Sequence, residues 1–309
     1  MKALVLDAPH ALRFDTVPDP VPTVGDVLVR VHAAGISERD LQSYQDQQVE
    51  IEAPMVLGHE VAGTLVDANN DGIRVVVNPM LSCGKCPSCK SGRTNLCPDL
   101  TLVSTPDHAG GMAEFIMVPR ENIIQLPDSV PFTTACLIDP LARGWHVARM
   151  SRRAFPRGRK ALVIGKGAVG VGAKLALEAQ GIDDVAMTSG TDPIESQYDI
   201  IIDTTSTPAS RALASEGVAA GGVIGLTAQG SGPEGLDLGR LSVQEVTVMC
   251  TTSYTAHDFQ DTAAAAFDGR LGPLDWAIIR PMAEGPAVFA AIAAGKIAAP
   301  RVVLAPIPA

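Results

Sequence analysis

The sequence predicts an α/β protein of two domains, one mostly β and one built on a parallel sheet. Three observations carry that prediction. The chain has 309 residues, room for about two domains that each bury a core. Only 4% of those residues are aromatic while Ala, Val, Leu and Ile abound. This composition suits parallel strands covered by small-residue helices better than an aromatic-rich sandwich. Near residue 145 the pattern also changes, from short β-like runs broken by Pro and Gly to strand, glycine turn and helix.

In chain order, residues 3–6, 27–31, 61–66, 73–77 and 113–118 read as strands of a compact, mostly antiparallel domain. Between the last two runs stand Cys83, Cys86, Cys89 and Cys97. Four thiolates this close can wrap one tetrahedral ion at about 2.3 Å, and Gly84, Pro87 and Gly92 permit the turns that bring them together. The spacing predicts a closed, structural zinc lobe. Disulfides, the competing reading, belong to small secreted scaffolds. The other two cysteines, Cys136 and Cys250, lie in apolar stretches and read as buried, inert thiols.

The second domain opens with a strand at 161–164, then Gly165, Gly167, Val169 and Gly170, then a helix over 171–180. In such a turn the first glycine permits the tight bend, the second lets backbone approach a pyrophosphate, and the third lets the helix pack on the strand. Strands follow at 184–188 and 198–203, with only residues 189–197 between them. One parallel crossover needs about a dozen residues, so two crossovers and an edge strand cannot fit. The result is a trimmed Rossmann-type sheet. At the end of its second strand a carboxylate would bind a ribose diol, but Thr188, Ser189 and Gly190 stand there. That absence tilts the expected cofactor, NADP or NAD, slightly towards NADP, although no Arg or Lys follows and Asp192 opposes a 2′-phosphate. Residues 263–266 read as a plain helix interior.

Charge and hydropathy exclude other classes. With 24 Lys and Arg against 34 Asp and Glu, the net charge is −10, and no basic stripe exists to neutralise nucleic-acid phosphates. The run Arg149, Arg152, Arg153, Arg157, Arg159 and Lys160 reads as a solvated connection before a strand. No apolar run approaches the ~20 residues of a membrane span, and the start reads as a strand and not a signal peptide. A cytoplasmic protein with no membrane or nucleic-acid partner is expected.

Taken in order, Gly58-His59-Glu60, the four-cysteine lobe, Asp139-Pro140-Leu141-Ala142, the glycine motif and Gly295-Lys296 with Arg301, Val302, Val303 and Leu304 resemble the zinc-containing medium-chain alcohol and polyol dehydrogenases. The resemblance covers nearly the whole chain. It implies a GroES-like mostly-β catalytic domain, residues 1–145 and 277–309, and a trimmed Rossmann-type parallel sheet domain, residues 146–276, with the substrate between them. The implied reaction is hydride transfer between a nicotinamide and a small secondary alcohol, a polyol or the corresponding ketone. A homodimer or homotetramer pairing through residues 245–251 is implied by analogy, and loops 42–54 and 103–111 would set specificity.

The resemblance also implies site residues. His59, Glu60 and Asp139 match a catalytic zinc site, with Asp139 a shorter substitute for the Glu or Cys of relatives. Arg301 matches a residue that reaches the pyrophosphate, and Arg143 falls near the nicotinamide. Three positions depart from the pattern: Ser37 replaces a metal-binding cysteine, Arg39 a substrate-binding hydroxyl, and Gln42 a proton-relay histidine. Two readings therefore stay open. An ion is held by His59, Glu60 and Asp139 with Ser37 or water, in a harder site than relatives have. Alternatively no second ion binds, Arg39 stabilises a developing oxyanion, and Glu60, Asp139 or Tyr44 handles the proton. In that case the chain is a degenerate relative, a zinc-free catalyst or a binding protein.

Overall fold

A computed structural model describes residues 1–21, 23–45, 54–66, 72–190, 192, 194, 196–227 and 234–306. The chain forms two compact units, residues 1–139 with 274–309 and residues 140–273. The divisions fall at 139/140 and 273/274 where the sequence placed them at 145/146 and 276/277. Residues 46–53 of the expected specificity loop lie outside the described residues.

The first unit is organised by the eleven-residue strand Asp26–Ile36. Val27, Val29 and Val31 alternate into the core with more exposed neighbours, the period of a half-buried strand. The last four residues are all buried. The strand pairs antiparallel with Glu60–Leu65, Phe115–Pro119 and Arg301–Ala305 in a seven-stranded sheet. Register sets Gly35 opposite Glu60 and Ile36 opposite Val302, so three strand ends converge at one spot. Leu4, Leu6, Leu57, Val61, Met112, Ile116, Phe289 and Leu304 fill the core beside them. The cysteine lobe hangs from a two-stranded ribbon, Met80–Leu81 with Thr101–Leu102, and carries the short helix Pro87–Lys90.

The second unit is a five-stranded parallel sheet in the order Asp184–Thr188, Lys160–Ile164, Tyr198–Asp203, Val218–Leu226, Thr247–Cys250. Asp184–Thr188 is an edge, as the nine-residue connection after it requires. Helix Ala168–Ala179 follows the glycine turn. Helix Ile138–Ala154 is tied to helix Ala256–Phe267 by Asp258, which accepts from His146 Nδ1 at 2.8 Å, Arg149 Nε at 2.6 Å and Thr255 Oγ1 at 2.6 Å. Burial pushes the Asp258 carboxyl up, but these hydrogen bonds outweigh it and hold the group well below the usual carboxylate range. Cys136 is buried, and burial pushes its thiol well up. Cys250 is exposed, contrary to expectation, because it ends the other edge strand, where only one side of the sheet is paired. Among the described residues no helix is long and apolar enough to cross a membrane.

Candidate active site and metal centres

Two donor clusters stand out in the first unit. In the lobe the sulfurs of Cys83, Cys86, Cys89 and Cys97 all lie within 4.8 Å of one another. The chain builds this cage locally. Cys86 caps the helix Pro87–Lys90, its sulfur accepting from Cys89 N at 3.4 Å, and the Cys97 sulfur accepts from Cys83 N at 3.4 Å. Backbone N–H groups of Lys85 and Cys86 pull the Cys83 thiol down to about 7. Burial and the neighbouring thiols push Cys89 up to about 11. One thiolate is thus available near neutral pH to begin capture of an ion, which would then deprotonate the others.

In the second cluster, donor atoms of His59, Glu60 and Asp139 also lie within 4.8 Å of one another. The three are 2%, 1% and 2% exposed, so the site is dry. His59 Nε2 stands 3.8 Å from Asp139 Oδ2. Glu60 Oε1 pairs with Arg301 Nη2 at 3.1 Å, and Arg301 Nη1 donates to the Ile36 carbonyl at 2.8 Å. A Cβ at Gly35 would run into Glu60 Oε2, so the glycine is what leaves the carboxylate its place. One imidazole and two carboxylates thus share a buried space with one guanidinium. A divalent cation fits that donor set, with preference for harder ions than a thiolate site would show.

The flanking residues are placed as follows. Ser37 is the N-cap of helix Glu38–Tyr44 in a capping box with Asp40. Its hydroxyl donates to Asp40 Oδ2 at 2.6 Å and accepts from Asp40 N at 3.1 Å. It is committed to the helix start, and a neutral hydroxyl is a poor ligand in any case. Arg39 and Gln42 are half-buried on the same helix. The buried ring of Tyr44 packs against His10 and Phe289, the position of a core side chain. Asp40 was not anticipated. Its Oδ1 accepts from Gly58 N at 3.1 Å, holding the turn before His59 to the start of the helix. Gly58 has φ +99°, a backbone state that few other residues adopt. The Ser-x-x-Asp spacing was the signal that could have revealed Asp40.

In the second unit the three glycines occupy different environments. Gly165, at φ +111°, sits where a Cβ would strike Thr204, and a Cβ at Gly170 would strike the Gly165 carbonyl. At Gly167 a Cβ would meet nothing within 4 Å, so that face is open to approach. Val169 lies in the first turn of the helix. Ser189 is exposed at the end of the second strand. Beside it Asp192 Oδ2 accepts from Thr188 Oγ1 at 3.0 Å, bringing a carboxylate back to the strand end. The Arg143 guanidinium stands 6.0 Å from the centre of the Tyr254 ring.

Comparison with known proteins accords with this geometry. Residues 23–128 match the alcohol dehydrogenase GroES-like domain. The chain is 34% identical to sorbitol dehydrogenase of Bacillus subtilis over 197 residues, 61% of this chain and 55% of the relative. It thus spans about half the length of the curated relatives it matches. Among solved structures, L-idonate 5-dehydrogenase of Escherichia coli superposes with a TM-score of 0.88 at 21% identity, covering 98% of this chain and 97% of the other. A short chain alcohol dehydrogenase of Escherichia coli complexed with NADH superposes with a TM-score of 0.84 at 21% identity, covering 99% of each. The fold is that of a GroES-like domain joined to a Rossmann-like parallel sheet.

Proposed function

We propose that the protein is an NAD(P)-dependent oxidoreductase that moves a hydride between the nicotinamide and a small secondary alcohol, a polyol or the corresponding ketone. The observation that supports this reading most is the buried convergence of His59, Glu60 and Asp139. These residues would hold a catalytic zinc or a similar divalent ion, and the four cysteines a structural zinc. An ion held at the first site supplies Lewis acidity, polarising a substrate oxygen and easing loss of a hydroxyl proton. The protein's part is to fix the donors. Arg301 clamps Glu60, Asp40 anchors the turn before His59, and burial keeps water from the carboxylates. Gly165, Gly167 and Gly170 would cradle the pyrophosphate. Asp192 offers a carboxylate to a ribose diol and repels a 2′-phosphate, which favours NAD over the NADP that the strand end alone implied.

Cytoplasmic placement and a homo-oligomer belong to the same reading, the first because four clustered thiols need a reducing compartment, the second by analogy alone. One observation favours a second reading. The Ser37 hydroxyl, at the position of a ligand in relatives, is tied up in a helix cap. If no ion enters, Arg39 would stabilise an oxyanion and the chain would be a zinc-free catalyst or a binding protein. Thermal unfolding with NAD and with NADP tests the main reading. A dinucleotide at a hundredfold excess over its Kd adds about 2.7 kcal/mol of stability, so a saturable rise is expected with NAD. No rise with either would sink it.

A further inference from the structure

The arginine-rich run before the parallel sheet, which the catalytic reading leaves unused, forms a concave site. Arg152, Pro156, Arg157, Gly158, Arg159 and Gly181 line a cavity of about 490 Å³, within the size range of pockets that take small molecules. Three arginines lining one cavity is unexpected in a chain of net charge −10. Some arginines have a carboxylate close by, as Arg13 has Asp7 and Asp15, Arg149 Asp258 and Arg270 Asp268, and others, such as Arg211 and Arg240, donate to backbone carbonyls. Arg152, Arg157 and Arg159 form no ion pair among the described residues. Of the nearby carboxylates, Asp199 accepts through Oδ2 from the backbone N–H of Arg159 at 2.7 Å and of Lys160 at 3.1 Å, and Asp184 stands opposite Lys160 in the sheet register.

The loop is also built to hold its shape. Phe155 N donates to Ser151 O at 2.9 Å, Gly158 N to Phe155 O at 3.2 Å, and Arg152 Nη1 to Gly158 O at 3.0 Å. Gly158 is buried, and a Cβ there would press on Phe155 and Ile200. That single bond leaves Arg152 further N–H donors, since a guanidinium carries five. The residues lead into the strands Lys160–Ile164 and Asp184–Thr188, so the cavity lies at the amino ends of the sheet. The glycine turn follows the carboxyl end of the same central strand and is a separate place.

We propose that this cavity binds a small molecule carrying several phosphate groups. Planar guanidiniums pair with phosphate oxygens in bidentate fashion, and three of them match the charge of a di- or triphosphate better than that of a carboxylate. The site stands apart from the dinucleotide turn and does not depend on the chain being a dehydrogenase.

The test is isothermal titration of the full chain with sodium triphosphate, against sodium chloride at matched ionic strength, repeated on a variant carrying Arg157→Ala and Arg159→Ala. Both side chains are exposed, so the variant should fold, which its unchanged unfolding temperature would verify. Saturable binding that weakens about tenfold or more in the variant is expected. Binding no stronger than the chloride control, or equal in the two proteins, would overturn the proposal, the latter by placing the anion elsewhere.

Discussion

The cysteine lobe and the His59, Glu60, Asp139 cluster each bring their donor atoms within 4.8 Å of one another, yet are made in opposite ways. The lobe draws four soft donors from fifteen consecutive residues, 83–97, and three of them remain partly exposed. The buried cluster draws hard donors from two segments about eighty residues apart and needs a third, Arg301, to balance Glu60. The lobe is held by its ion and by short-range turns. The cluster is held by sheet register, which sets Glu60 against Gly35 and places Arg301 one residue before Val302, the partner of Ile36. An ion therefore matters differently in the two: it should fold the first and merely occupy the second.

The largest effect should come from the lobe. Structural zinc contributes roughly 10 kcal/mol of binding free energy in isolated zinc peptides. Replacing one ligand, Cys97→Ser, should release the lobe's ion and make thermal unfolding insensitive to a chelator that destabilises the parent protein. With Cys83 lowered to about 7, protons compete with the metal as pH falls. Zinc retention against a fixed chelator should therefore fall as pH falls, most steeply below about 7, where the last free thiolate is protonated as well. A pH-independent retention would break the account of the lobe.

The next effect belongs to the buried cluster and needs no metal. Arg301→Leu leaves Glu60 in a dry site without its counter-charge, and breaking one side of a buried pair costs about 3–5 kcal/mol. Chemical denaturation should show that loss in metal-free protein. A cost near zero would mean that the pair does not hold the site. Smallest is Ser37→Ala, which removes a helix cap and should cost about 1 kcal/mol with no change in bound metal. A loss of metal in that variant would make Ser37 a ligand and sharpen the cluster into a four-donor set.

What was legible in the sequence follows the same division. Short-range chemistry could be read directly: the lobe from its cysteine spacing, the glycine turn from its strand and helix context, and the trimmed sheet from the length of 189–197. Three residues of the buried cluster were found through a resemblance, and their surroundings were not found at all. Arg301 was expected at a pyrophosphate, and nothing in the sequence signalled that strand pairing across 265 positions would also set it on Glu60 and the Ile36 carbonyl. Asp40 escaped because its partner, Gly58 N, is a backbone group with no side-chain signature. Cys250 was misplaced because apolar neighbours do not distinguish a central strand from an edge.

The most direct test of the second centre is zinc per chain, by elemental analysis of protein purified without added metal, in the parent and in His59→Ala. Two ions falling to one would establish a working site at His59, Glu60 and Asp139. One ion in both proteins would mean that only the cysteine lobe is loaded, and would contradict metal-assisted hydride transfer in this chain.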